Sequence, residues 1–326
     1  MRIIINEMIS EARTRRRAAV LVAVAALVVS ACTAGSDLNT ATEGITVVAT
    51  TTILGDIARN IVGDDGTVVV VLPIGADPHD YRPSSAQVAV IHDADLVIAN
   101  GLGLEEGFGD VLKTAAADGA NLVEVAELVD PVTFSDREHC RGDGDDDHDH
   151  GNCDPHVWFD PLRAAAIAQI IGAELSLIDI SVDWQARVDE YSAELIEADE
   201  TIVMILDAIP DDRRILVTNH DSLGYLADRY GLQVVGTVLT GGGDLSEPSS
   251  VDLAELVSII DATGVQAIFA ETTEPTALAE AVASEVGHPV AVVRLYSGSL
   301  GDPGSGADTL IGMLTTNARR IANALS

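Results

Sequence analysis

An order of secondary-structure signals that occurs twice is the strongest constraint on how this chain folds. Short β-branched runs alternate with amphipathic segments, the mark of parallel α/β architecture, because parallel strands need a crossover helix between them. In the first half, 45–50 reads as a strand, 53–62 as a helix, 68–72 as a strand, 84–92 as a helix and 95–99 as a strand. From Arg214 the series returns as strand 215–218, helix 223–230, strand 233–239, helix 253–260 and strand 265–269. Leu54-Gly55-Asp56-Ile57-Ala58 lines up with Leu223-Gly224-Tyr225-Leu226-Ala227, and at that offset Ile91 meets Ile260. Order kept over about fifty positions predicts two similarly built lobes. Between them, 183–209 carries no Gly or Pro, and Val188, Tyr191, Leu195, Ala198, Ile202 and Ile205 recur three or four apart. That spacing predicts a helix of about 27 residues, about 40 Å long. The expected fold is α/β, with two similar lobes at 45–182 and 211–326. Each is a parallel sheet flanked by helices, and one long rigid helix at 183–210 joins them.

The first 32 residues read as an address. Arg13, Arg15, Arg16 and Arg17 precede an apolar run at 18–29, too short to span a bilayer comfortably and suited to a signal peptide. Val29-Ser30-Ala31-Cys32 then resembles a bacterial lipobox, with Cys32 lipidated as the mature N-terminus; the alternative is an ordinary signal peptide with an incidental cysteine. Residues 33–44 are small and polar and read as a flexible tether. No later stretch reads as a membrane span. The expected location is therefore the outer face of the cytoplasmic membrane, held by lipid. A formal net charge of −34 excludes nucleic-acid binding, which needs Lys and Arg against phosphates. Lys113 is the single lysine and stands in no phosphate-binding loop.

Four turns carry chemistry-bearing residues. They are Gly75 to Ser84, Asp154 to Pro161, Thr218 to Asp221 and Leu295 to Ser299. In open parallel sheets, ligands bind beyond the carboxyl ends of the strands. His79 and His156 share the context Asp-Pro-His. The proline restricts the backbone, and a nearby carboxylate can fix the tautomer of a ligating imidazole. With His220, three histidines stand in such turns, and neutral imidazole suits Zn²⁺.

These motifs resemble the solute-binding proteins of bacterial zinc and manganese ABC importers. The similarity runs from Ile45 to the C-terminus and rests on Asp77-Pro78-His79-Asp80-Tyr81, the 95–104 segment, Asp154-Pro155-His156-Val157-Trp158, Asn219-His220-Asp221 and Arg229-Tyr230-Gly231-Leu232. The resemblance implies metal held in the cleft between the lobes, with His79 and His156 from the first lobe and His220 from the second. It implies a membrane permease as partner and no enzymatic activity. One position departs: where the family often has an aspartate in the fourth turn, this chain has Gly298. The fourth ligand is then water, Glu271 or an acid such as Asp244.

Residues 138–153 form a separate acidic loop containing His148 and His150, expected to be disordered, and either a loose zinc collector or a solvated spacer. Cys140 and Cys153 bracket it, and in an exported chain so close a pair is expected to form a disulfide. The rival is a second zinc site with His148 and His150. The function expected is capture of Zn²⁺ by a monomeric binding protein. Alternatives are a Mn²⁺-specific protein of the same kind, a surface adhesin, or a zinc hydrolase using the same three histidines.

Overall fold

The computed structural model describes residues 44–134, 140, 153–239 and 248–326. The expected signal peptide with Cys32, the tether, His148, His150 and Asp244 lie outside the described residues. Eight strands form two sheets. In the first, β1 (Ile45–Ala49), β2 (Gly66–Val70), β3 (Leu96–Ala99) and β4 (Leu122–Glu124) lie in the order β2-β1-β3-β4. In the second, β5 (Ile215–Thr218), β6 (Gln233–Thr237), β7 (Ala267–Glu271) and β8 (Ala291–Leu295) lie in the order β6-β5-β7-β8. All pairings are parallel, so the two sheets share one topology, as the repeat predicts.

The helices are α1 (Thr52–Val62), α2 (Ser85–His92), α3 (Gly109–Ala117), α4 (Pro161–Ile178), α5 (Trp184–Leu206), α6 (Gly224–Tyr230), α7 (Ser250–Thr263), α8 (Ala277–Glu285) and α9 (Leu310–Leu325). Capping residues set several starts. Ser84 with Gln87 and Ser249 with Asp252 form reciprocal capping boxes at α2 and α7, and Asp160 caps α4 with Pro161 at its first position.

The linking helix α5 is 23 residues, about four fewer than the pattern suggests, because the chain turns after Leu206. It buries Trp184, Val188, Tyr191, Leu195, Ala198, Ile202 and Leu206 along one face. All of these but Ala198 belong to a hydrophobic cluster that also takes in Ile53, Ile57 and Trp158 from the first half and Tyr225, Leu295 and Leu314 from the second. At the far side, Arg229 grips the Asp199 carboxylate with both ends of its guanidinium (2.6 and 2.5 Å), tying α6 to the linking helix.

Two features depart from the sequence expectation. Helix α4 has the length and hydropathy of a membrane span, yet it buries Ala164, Ile167, Ile171 and Leu175 in the same cluster. The last helix, α9, returns to the first lobe, where the Leu310 N–H donates to Asp56 of α1 (2.9 Å). Cys140 and Cys153 form the expected disulfide, and Cys153 also bridges to Thr133.

Helices α4 and α5 approach closely at Gly172. A β-carbon there would fall 2.4 Å from Val188 Cγ2. Gly172→Leu is expected to cost about 2 kcal/mol or more through overpacking, beyond the ~1 kcal/mol gained in helix propensity. Thermal unfolding checks this; an unchanged midpoint would contradict the packing.

Candidate metal centre

All but one of the candidate side chains stand at or beyond the carboxyl end of a strand. His79 lies in the turn that follows β2, His220 stands two residues beyond β5, Glu271 ends β7, and Ser297 follows β8. His156 comes from the segment between β4 and α4, next to the disulfide at Cys153.

The repeated Asp-Pro-His context has a structural reason. Asp77 Oδ1 accepts from the His79 backbone N–H (2.8 Å), and Asp154 Oδ1 accepts from the His156 backbone N–H (3.0 Å). Each carboxylate thus folds its own turn around the proline. Asp154 also meets the His156 ring, with Oδ1 2.8 Å from Nδ1. Among the described residues, the buried His79 Nδ1 has no hydrogen-bond partner, Asp77 included.

His79, His156 and His220 are 5 %, 1 % and 2 % exposed, so none is an ordinary surface histidine. Among the described residues, they offer ligand atoms that all lie within 4.8 Å of one another. Their ring centroids are 5.1 to 5.7 Å apart. His156 Nε2 and His220 Nε2 face each other at 3.2 Å. Two nitrogens on one tetrahedral zinc, each about 2.0–2.1 Å from it, stand about 3.3 Å apart.

Glu271 stands behind His220. Its Oε1 is 2.7 Å from His220 Nδ1, a charge contact whose angle falls short of an aligned hydrogen bond. The Ser222 hydroxyl donates to the same oxygen (3.0 Å), and the Ser297 hydroxyl donates to Oε2. Both carboxylate oxygens are therefore engaged, and the three imidazoles come together without Glu271 among them. The sequence did not single out Ser222 and Ser297 for this role; their closeness to His220 and Gly298 is the only hint it carries. Gly298 faces Pro78, where a β-carbon would fall 2.6 Å from the ring.

Electrostatics divide the histidines. Burial pushes His79 down to about 3, and the neighbouring His156 and His220 add to the shift. Burial is the largest influence on His220 and opposes its charge, but Glu271, Asp77 and Asp154 together outweigh it and the net shift is upward. Burial would raise Glu271, yet His220 and the Ser297 hydroxyl bring it down to about 2. Beside His220, a cavity of about 560 Å³ is lined by residues including Asp80, Asn219 and Glu274.

Two linked α/β lobes with three buried histidines converging from strand-end turns define a metal-binding protein of the cleft type. The chain belongs to the family described as zinc-uptake complex component A, periplasmic, whose profile matches residues 47–324. Among its relatives is the zinc-binding protein TroA of Treponema pallidum, 32% identical over 286 residues, covering 86% of this chain and 88% of TroA. The manganese-binding lipoprotein MntA of Halalkalibacterium halodurans is 28% identical over 312 residues, covering 94% and 97%. The solved structure of periplasmic zinc-binding TroA from Treponema pallidum superposes with a TM-score of 0.77 at 30% identity, covering 87% of this chain and 99% of that one. Family membership makes the chain a metal-binding component of an ABC importer. The relatives' names describe metal-binding proteins, some for zinc and some for manganese, and none names an enzyme.

Protonation of His220 competes with a metal at its Nε2, and its upward shift starts that competition above the ordinary imidazole value of about 6.5. Zinc affinity is therefore expected to fall as pH drops towards the ordinary imidazole value of about 6.5, while His79 stays neutral until far lower pH. Glu271→Gln, which removes the carboxylate that raises His220, should move the loss to lower pH. Chelator-competition titrations across pH check this; a wild-type profile flat to about pH 5 would contradict it.

Proposed function

We propose that this chain captures Zn²⁺ outside the cell through His79, His156 and His220 and hands it to a membrane permease. The observation that carries the reading is the pair of Nε2 atoms facing each other at 3.2 Å. Asp154 and Glu271 each face the Nδ1 of one ring, which favours the proton on Nδ1 and leaves Nε2 as the ligand atom. Both Nε2 atoms then point into the same space, where one cation would take both as ligands. The orphaned Nδ1 of His79 is a further buried polar atom in want of a partner.

Three imidazoles favour zinc over manganese, which takes more oxygen ligands. In this reading the fourth position belongs to a water molecule, and Glu271 acts by orienting His220 rather than by ligation. The acidic groups Asp80 and Glu274 at the neighbouring cavity favour approach of a cation. The lipobox-like segment ending at Cys32 supports a lipid anchor on the outer face of the cytoplasmic membrane, and relatives of nearly the same length are named as lipoproteins. The manganese names among those relatives keep Mn²⁺ as the second reading.

A metal-stripped chain should bind one Zn²⁺ tightly in competition with a chelating dye, and excess Mn²⁺ should not displace it. His156→Ala should abolish that binding. Tighter binding of Mn²⁺ than of Zn²⁺, or zinc binding that survives His156→Ala, would overturn the assignment.

A further inference from the structure

The fourth turn supplies no side chain to the three-histidine cluster, yet it is buried and hydrogen-bonded along its length. Ser297, Ser299 and Leu300 are buried, and each of four successive residues from Ser297 meets the first lobe. The Ser297 carbonyl accepts from the Trp158 indole N–H (3.1 Å). Gly298 lies so close to Pro78 that a β-carbon would come within 2.6 Å of the proline ring. The Ser299 hydroxyl accepts from the Gly75 N–H (2.8 Å) and lies 3.4 Å from the Thr52 hydroxyl. The Leu300 N–H donates to Thr52 Oγ1 (2.9 Å).

The first-lobe partners are not scattered. Gly75 and Pro78 belong to the turn that carries His79. Trp158 stands two residues after His156, and its ring lies edge-on to that imidazole at 5.3 Å between centroids. On the other side, the Ser297 hydroxyl donates to Glu271, which faces His220 Nδ1. One short segment therefore touches, directly or through a single carboxylate, the settings of all three histidines. Its base is fixed by Asn317 of α9, which accepts from the Tyr296 N–H (3.0 Å) and donates to the Tyr296 carbonyl (2.6 Å).

We propose that Ser297-Gly298-Ser299-Leu300 is the latch that keeps the two lobes closed over the metal, with Gly298, Thr52 and Trp158 as its positioning residues. The proposal rests on the three-histidine site above. A glycine is required at 298 because any side chain would push the turn off Pro78 and pull the Ser297 carbonyl from Trp158. Its place in the chain is thus a contact between lobes rather than a lost ligand. Because the latch grips the turns of His79 and His156 and, through Glu271, His220, opening the lobes and loosening the histidines are one event. The latch sets how long the metal stays, more than whether the metal is recognised.

The test uses the full chain loaded with zinc, measuring metal release by stopped-flow mixing with a chelator and unfolding of the metal-free form by calorimetry. Gly298→Ala should speed release about tenfold, the consequence of overpacking at one contact. Thr52→Val, which removes the hydroxyl, should speed it about three- to tenfold, and Thr52→Ser, which keeps the hydroxyl, should restore the wild-type rate. The metal-free unfolding midpoints should change little, which separates a latch from general loosening. Wild-type release rates in both Gly298→Ala and Thr52→Val would overturn the latch while leaving the three-histidine site intact. Failure of the wild-type chain to hold zinc would overturn the site and the latch together.

Discussion

Two buried imidazole nitrogens that face each other at 3.2 Å, each ring with a carboxylate behind it, are the interaction on which the rest of the molecule turns. Two imidazole nitrogens held this close suit a shared cation. The surroundings fix both carboxylates in place. Asp154 is held by the Val132 carbonyl through its backbone N–H and by the Tyr225 hydroxyl through its carbonyl, while Glu271 is pinned by two serines. In the proposed reading, one divalent cation takes the three imidazoles as ligands. Burial opposes charge on His220, but Glu271, Asp77 and Asp154 together shift it upward, so a proton and a metal would compete for this ring.

The fold serves this pair by bringing distant turns together. Each sheet sends its strand ends toward the cleft, so His79 and His220 come from turns following β2 and β5, and Glu271 from the end of β7. The linking helix and α9 then hold the lobes over a shared apolar cluster rather than through a pliant hinge. Arg229 on Asp199 adds a charged clamp at the far side. Separation of the lobes therefore has to be local to the cleft, which is where the fourth turn meets Thr52, Pro78 and Trp158.

Much of this was legible from the chain. The strand and helix order survives in both halves because hydrophobic periodicity reports the buried face directly, and β5 coincides with its expected residues, Ile215–Thr218. β4 escaped notice because it is three residues, two half-buried and Glu124 exposed. The return of α9 to Asp56 joins residues 254 positions apart, and no local pattern encodes such a contact. The histidines were legible because Asp-Pro-His is a self-folding turn, visible as a motif. The roles of Ser222, Ser297 and Trp158 were not, since their meaning lies in which oxygen each one meets. Gly298 read as a missing ligand in sequence; in space it is a contact surface for Pro78. The acidic loop with His148 and His150 and the lipidation site at Cys32 lie outside the described residues, so their readings remain those of the sequence.

The most direct test of the central claim is X-ray absorption at the zinc edge on the fully loaded chain. The account predicts a four-coordinate ion with three imidazole nitrogens at about 2.0–2.1 Å, one light oxygen and no sulfur. A six-coordinate shell dominated by oxygen, or any zinc–sulfur distance near about 2.3 Å, would contradict it.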